Sequence, residues 1–90
     1  MAKLIDYYGE ECVICKKIEP LLNKLKKEEG VIIQRIEVWH NAGNQKKMMN
    51  HAKGRCQALP FIYNPDTDEF LCGNAADNYA ALKKLAKDKK

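Results

Sequence analysis

Short apolar runs alternate along this chain with longer stretches in which apolar residues return every three or four positions, and each change of period marks an element. Lys3 to Tyr8 holds Leu4, Ile5, Tyr7 and Tyr8 with little polar interruption and reads as a buried strand. After Gly9-Glu10-Glu11, the residues Ile14, Ile18, Leu21, Leu22 and Leu25 recur at helical spacing with lysines opposite, so a helix is predicted over Val13 to Glu29. Pro20 lies inside it and should kink it, because proline removes one backbone donor, and Gly30 fits a helix C-cap. Val31 to Trp39 is predicted as a second strand, dense in Val, Ile and Trp with Gln34, Arg35 and Glu37 between.

A turn at Asn41 to Asn44 then caps a short polar helix through Gln45, Met48, Met49 and Ala52, closed by Gly54. Met48 and Met49 are adjacent, so at most one of them faces the core. Ala58 to Tyr63 and Glu69 to Cys72 read as an antiparallel hairpin around Asn64-Pro65-Asp66-Thr67-Asp68, a run of turn formers. A last helix carries Tyr79, Leu82 and Leu85 inward. The order β-α-β-α-β-β-α, with a crossover joining the first two strands, predicts a three-layer α/β fold around a four-stranded mixed sheet.

Composition changes this picture little. Ninety residues, 46% apolar and 31% charged, suit one globular domain spanning residues 1–90 with a modest core. No apolar run reaches membrane-spanning length and no leader pattern is visible, so the expected location is the cytoplasm, where cysteines tend to be catalytic or metal-binding. The net charge of +4 gathers on the first helix and on Lys83, Lys84, Lys87, Lys89 and Lys90. Lysines on outer helix faces without interleaved aromatics read as solvating, not as a nucleic-acid or membrane surface. A monomer is expected.

The chemistry is concentrated in Cys12-Val13-Ile14-Cys15, two thiols at a strand-to-helix turn. Cys12 falls near a helix N-terminus, whose free N–H groups and dipole favour a thiolate, the species that attacks disulfides. Zinc uses the same spacing but usually needs a second close pair of ligands. Cys56 and Cys72 are far apart, as are His40 and His51. Cys56 and Cys72 read as small buried hydrophobes, and since Cys72 should lie opposite about position 61 of the hairpin, a bond between them is not the natural register. Trp39-His40 reads as ordinary packing at a strand end.

The stretch Asp6-Tyr7-Tyr8-Gly9-Glu10-Glu11-Cys12-Val13-Ile14-Cys15-Lys16-Lys17-Ile18-Glu19-Pro20 resembles the active-site pattern of thioredoxins: Asp, two aromatics, a small residue, two more residues, then C-G-P-C-K-x-I-x-P. A second, separate likeness is Ala58-Leu59-Pro60-Phe61-Ile62, which resembles that family's apolar–cis-proline–strand segment. By these two stretches and its element order the chain resembles the thioredoxin-like dithiol oxidoreductases, and in size it is closer to a glutaredoxin.

The resemblance implies a catalytic set of Cys12 as attacking thiolate, Cys15 as resolving thiol and Asp6 as a buried proton relay. Pro60 would be cis, the Leu59 backbone would pair with an extended substrate, and Val13, Ile14 and Gly73 would border the substrate site. Cys56 lies four residues before Pro60, which the resemblance places at the active face, so it would be an oxidation-sensitive thiol near that face. It further implies protein disulfides as substrates, a reductase or a low-molecular-weight thiol as electron donor, and no cofactor or metal beyond the redox-active disulfide. Two other readings stay open: a glutaredoxin-like metal or iron–sulfur module, and a non-catalytic peptide-binding domain.

Three departures stand out. Glu11 replaces the usual Trp and brings a negative charge beside Cys12, which Lys16 and Lys17 are expected to offset. Val13-Ile14 replaces Gly-Pro or Pro-Tyr, so the reduction potential is not set by family habit. Cys72-Gly73-Asn74-Ala75-Ala76-Asp77 lacks one glycine of the glutaredoxin glutathione pattern, leaving Gly73 and Asp77 as its remainder.

Overall fold

The computed structural model describes residues 3–56 and 58–86. Lys87, Lys89 and Lys90 of the basic C-terminal stretch lie outside them. Strand β1 (Lys3–Tyr8) leads into α1 (Val13–Lys17) and α2 (Glu19–Glu29), then β2 (Ile32–Glu37), α3 (Ala42–Ala52), β3 (Phe61–Asn64), β4 (Glu69–Cys72) and α4 (Tyr79–Leu85). A single 3₁₀ turn, Gly73–Ala76, joins β4 to the approach of α4.

The sheet order is β2-β1-β3-β4. β1 runs parallel to β2 and antiparallel to β3, and β3 and β4 form the expected hairpin. Being central, β1 alternates its side chains between two buried faces. Leu4 joins Ile18, Leu22, Leu25, Ile62, Leu82 and Leu85 beneath α2 and α4. Tyr7 joins Val38, Met48, Ala52, Phe61 and Tyr63 beneath α3. By the same alternation Asp6 falls on the Leu4 face, the one covered by α1 and α2.

The predicted helix from Val13 to Glu29 is two helices meeting at Ile18. Pro20 has no N–H to offer the Lys16 carbonyl and its ring crowds that group, so the first helix stops and proline enters the first turn of the second, where no donor is needed. Gly30 ends α2 at φ 67°, as its C-cap. Of the two methionines Met48 is buried and Met49 is 65% exposed.

The third strand begins at Phe61, not at Ala58, a correction with a clear cause. Pro60, which follows a cis peptide bond, has no N–H to give a ladder, and the pairing with β1 begins at Phe61. The second strand is likewise shorter than predicted: Val38 N–H still bonds to the Tyr8 carbonyl at 2.8 Å, but the chain then bends at Trp39 and His40. Among the described residues no helix is long and apolar enough to cross a membrane.

Candidate active site

The two free thiols lie at the C-terminal end of β1. Cys12 is the N-cap of α1: its backbone is extended, its N–H reaches the Gly9 carbonyl at 3.0 Å, and its Sγ accepts the Cys15 N–H at 3.2 Å. A donor at the open end of a helix thus faces the sulfur that would carry charge. Both cysteines are buried, Cys12 at 7% exposed and Cys15 at 1%, so Cys12 is the less enclosed of the two. Burial pushes the Cys15 thiol well above its ordinary value. The contact with Cys12 and the negative charges of Cys12 and Asp6 push the same way, against a smaller lowering by a backbone bond at Gly9.

Asp6 is buried, at 1% exposed. Its Oδ2 accepts from Arg35 Nε at 3.2 Å, whereas Oδ1 has no hydrogen-bond partner among the described residues. Burial raises its carboxyl from 3.8 to about 6, with Arg35 pulling it down and Glu19 pushing it up. Arg35 is held in turn by Glu19, whose Oε1 lies 3.5 Å from its Nη1, and by the Tyr8 ring, 4.2 Å beneath its guanidinium. The sequence reading passed over Arg35 as a polar residue of β2, yet the parallel register sets it directly against Asp6.

Glu11 does not stand alone beside Cys12, and its counter-charge is not the expected one. His40 Nε2 lies 2.7 and 2.8 Å from the two Glu11 oxygens, and Glu11 holds the imidazole above its usual titration range. The His40 N–H bonds to Glu37 Oε1 at 2.7 Å, and Glu37 Oε2 accepts from the Glu10 and Trp39 N–H groups, so one carboxylate stitches the loop after β2 to the loop before α1. Lys17 instead pairs with Asp77 at 3.1 Å, which turns the remnant of the glutathione pattern toward α1. Glu10, Glu11 and His40 are the one trio of ligating groups close enough to share an ion among the described residues, all three exposed, and none of them is a cysteine.

Val13 is 78% exposed beside Cys12, whereas Ile14 packs against the core beneath α2 and α4, so only the first of the pair faces outward. The Trp39 ring lies against Gly9, three residues before Cys12. A Cβ on Gly9 would come within 2.2 Å of the indole, so Gly9 exists there to let the ring lie against the backbone. Trp39, Met48, Met49, Leu59, Val38 and Cys56 border an apolar groove of about 320 Å³. Gly73 is buried at φ 59°, its N–H bonded to the Pro60 carbonyl at 2.8 Å, so it contributes to the site by fixing the proline segment.

Cys56 and Cys72 are not independent hydrophobes: they form a disulfide, with their Cα atoms 5.8 Å apart. The expected register is correct, for Cys72 does pair with Phe61. The error lay in extending the ladder backwards. The pairing of β3 with its neighbours begins only at Phe61, and Cys56, outside that ladder, lies beside Cys72 at the end of β4.

No protein-family model matches the chain, and no curated protein matches its sequence. Solved structures do. Mitochondrial thioredoxin 3 from Saccharomyces cerevisiae, in its oxidised form, aligns with a TM-score of 0.69 at 25% identity over 97% of this chain and 77% of its own. A thioredoxin variant from Halobacterium salinarum aligns at 0.66 with 23% identity, over 94% and 71%. The oxidised thioredoxin of Plasmodium falciparum aligns at 0.64 with 19% identity, over 93% and 76%. The fold is thioredoxin-like, α/β with a four-stranded mixed sheet.

Proposed function

We propose that this protein is a thiol–disulfide oxidoreductase that reduces disulfides in other proteins through Cys12 and Cys15. The observation that carries the reading is one corner of the fold: Cys12 at a helix N-cap, a more deeply buried Cys15 one turn on, and a buried carboxylate on β1 with one oxygen unpaired among the described residues. The Cys12 thiolate attacks one sulfur of a substrate disulfide, forming a mixed disulfide and expelling the other substrate sulfur as a thiolate. Cys15 then gives up its proton and attacks Cys12 Sγ, which releases the second substrate thiol and closes Cys12–Cys15.

That proton is the difficult one, because burial holds the Cys15 thiol high. Asp6, raised toward neutrality, is suited to accept it on Oδ1. Leu59 and cis-Pro60 offer an extended edge to the substrate backbone, with Val13 and Gly73 at the border of the same site. A flavoprotein reductase or a low-molecular-weight thiol would then return two electrons to the disulfide. Insulin reduction driven by dithiothreitol tests the reading. Wild type should accelerate it and Cys12→Ser should not; equal rates would overturn the assignment.

A further inference from the structure

The mechanism above leaves the second pair of cysteines unused, although it lies next to the segment expected to receive substrate. We propose that Cys56–Cys72 is a second redox couple, opened and closed by small thiols, whose state sets how well the Leu59–Pro60 edge receives a polypeptide. The proposal rests on the dithiol reading of Cys12–Cys15 and adds a control on its substrate side.

Among the described residues between α3 and β3, Lys53 to Cys56 and Ala58 to Pro60, none belongs to a helix or strand. The segment leaves α3 through two left-handed residues, Lys53 at φ 52° and Gly54 at φ 77°, and must be held from outside. Arg55 fastens its beginning, donating from Nε and Nη2 to the carbonyls of Ala52 and His51. Its end is fastened by the Gly73 N–H on the Pro60 carbonyl. Between these lies the disulfide, which bonds the residue four before Pro60 to the last residue of β4. Cys56 and Leu59 also border the apolar groove with Trp39 and Met48, so the same covalent tie positions a wall of that groove and the edge beside it.

Two features suit this bond to opening. Cys56 is 6% exposed whereas Cys72 is only partly buried, so Cys72 is the less enclosed end of the bond, and more exposed disulfides are the more labile ones. Cys56 Sγ also lies 3.2 Å from the Ala58 carbonyl oxygen. In the disulfide that sulfur has no proton to donate, but a freed Cys56 thiol finds its acceptor already in place. The chemistry balances with a low-molecular-weight thiol as reductant. Its thiolate attacks Cys72 Sγ, the Cys56 sulfur leaves and takes up a proton, and a second thiol molecule displaces Cys72 to give two protein thiols and one small disulfide. The reverse sequence with the small disulfide closes the bond.

The test counts thiols and compares substrates. Wild type equilibrated in glutathione buffers of graded poise, then alkylated and weighed, should show two separate two-thiol transitions assigned by peptide mapping to the two pairs. The Cys56→Ser/Cys72→Ser chain, permanently open, should show a KM for insulin raised about tenfold with kcat little changed, the sign of lost substrate binding, while its rate on a small aromatic disulfide stays within about twofold of wild type. The Cys56→Val/Cys72→Ala chain, which keeps apolar side chains without the tie, should share the raised KM. A Cys56–Cys72 bond that stays closed in buffers that fully reduce Cys12–Cys15, or an unchanged insulin KM in both open chains, overturns the proposal. Failure of the dithiol reading looks different: wild type would turn over neither substrate, and the thiol count would still decide whether the second couple exists.

Discussion

Asp6 and Arg35 face one another across the parallel β1–β2 pair, with Arg35 Nε donating to Asp6 Oδ2 at 3.2 Å and Asp6 Oδ1 without a partner among the described residues. One oxygen is therefore held and the other is placed to carry a proton. The pair is only half compensated, because burial outweighs the attraction of Arg35 and leaves the carboxyl raised to about 6. Function and stability then pull in opposite directions at this position.

The stability side gives the first prediction. A folded-state value of about 6 against 3.8 means that the folded protein holds this proton more tightly than the unfolded chain does. Below about pH 4 both states are protonated and Asp6 costs nothing. As pH rises from about 4 to 6 stability falls, and above that window the full cost of about 3 kcal/mol applies. Asp6→Asn should therefore be more stable than wild type at pH 7 by about that amount and equal to it near pH 4. Urea unfolding between pH 4 and 8 checks this, and parallel pH slopes for the two chains would contradict it.

Arg35 is predicted to act through Asp6. Its charge lowers the carboxyl, so Arg35→Met should raise the Asp6 titration above the wild-type value. Carboxyl chemical shifts of labelled Asp6 read this directly. The pH at which a preformed mixed disulfide on Cys12 resolves should move up with it. A slower but unshifted profile would give Arg35 a purely structural role.

His40 should matter to Cys12 only while it is protonated. Glu11 holds the imidazole above its usual range, so below that raised value it is a cation that offsets Glu11, and as pH rises through it the offset is lost. In His40→Ala the Cys12 alkylation rate at pH 6 and low salt should fall about threefold, an effect the size of an exposed ion pair. The deficit should shrink at high pH, in strong salt, and in the Glu11→Gln/His40→Ala chain. A deficit that ignores both salt and pH would place His40 in a packing role.

Gly9 is predicted to be irreplaceable by even one methyl. A Cβ there would overlap the Trp39 ring at 2.2 Å, and the Glu37 bonds that hold the Trp39 backbone leave it little room to retreat. Gly9→Ala should cost about 1–3 kcal/mol and swing the indole outward. Trp39 is the only tryptophan, so its emission should shift to the red in the folded variant. Unchanged emission with unchanged stability would contradict the packing described.

Much of this was legible because periods and turn residues were unambiguous. Lys3–Tyr8 and Glu69–Cys72 have the ends the sequence predicts, Cys12 and Cys15 stand out by spacing and residue type, and Asp6 and Pro60 stand out only through the likeness to thioredoxins. The rest depended on contacts between distant segments. Arg35 meets Asp6 only once a parallel register is set, and His40 meets Glu11 only once the loop after β2 bends back. The pairing of Cys56 with Cys72 was hidden by a local apolar pattern. Ala58-Leu59-Pro60 looks like strand, but a proline without a donor ends the ladder there, and the cysteine before it lies beside Cys72 at the end of β4.

The central claim is an order of events, Cys12 attacking and Cys15 resolving, and trapping the intermediate tests it most directly. Cys15→Ser, mixed with a protein disulfide and examined without reductant, should accumulate a covalent adduct mapped to Cys12, while Cys12→Ser should form none. Adducts of equal yield on both variants, or none on either, would contradict the account.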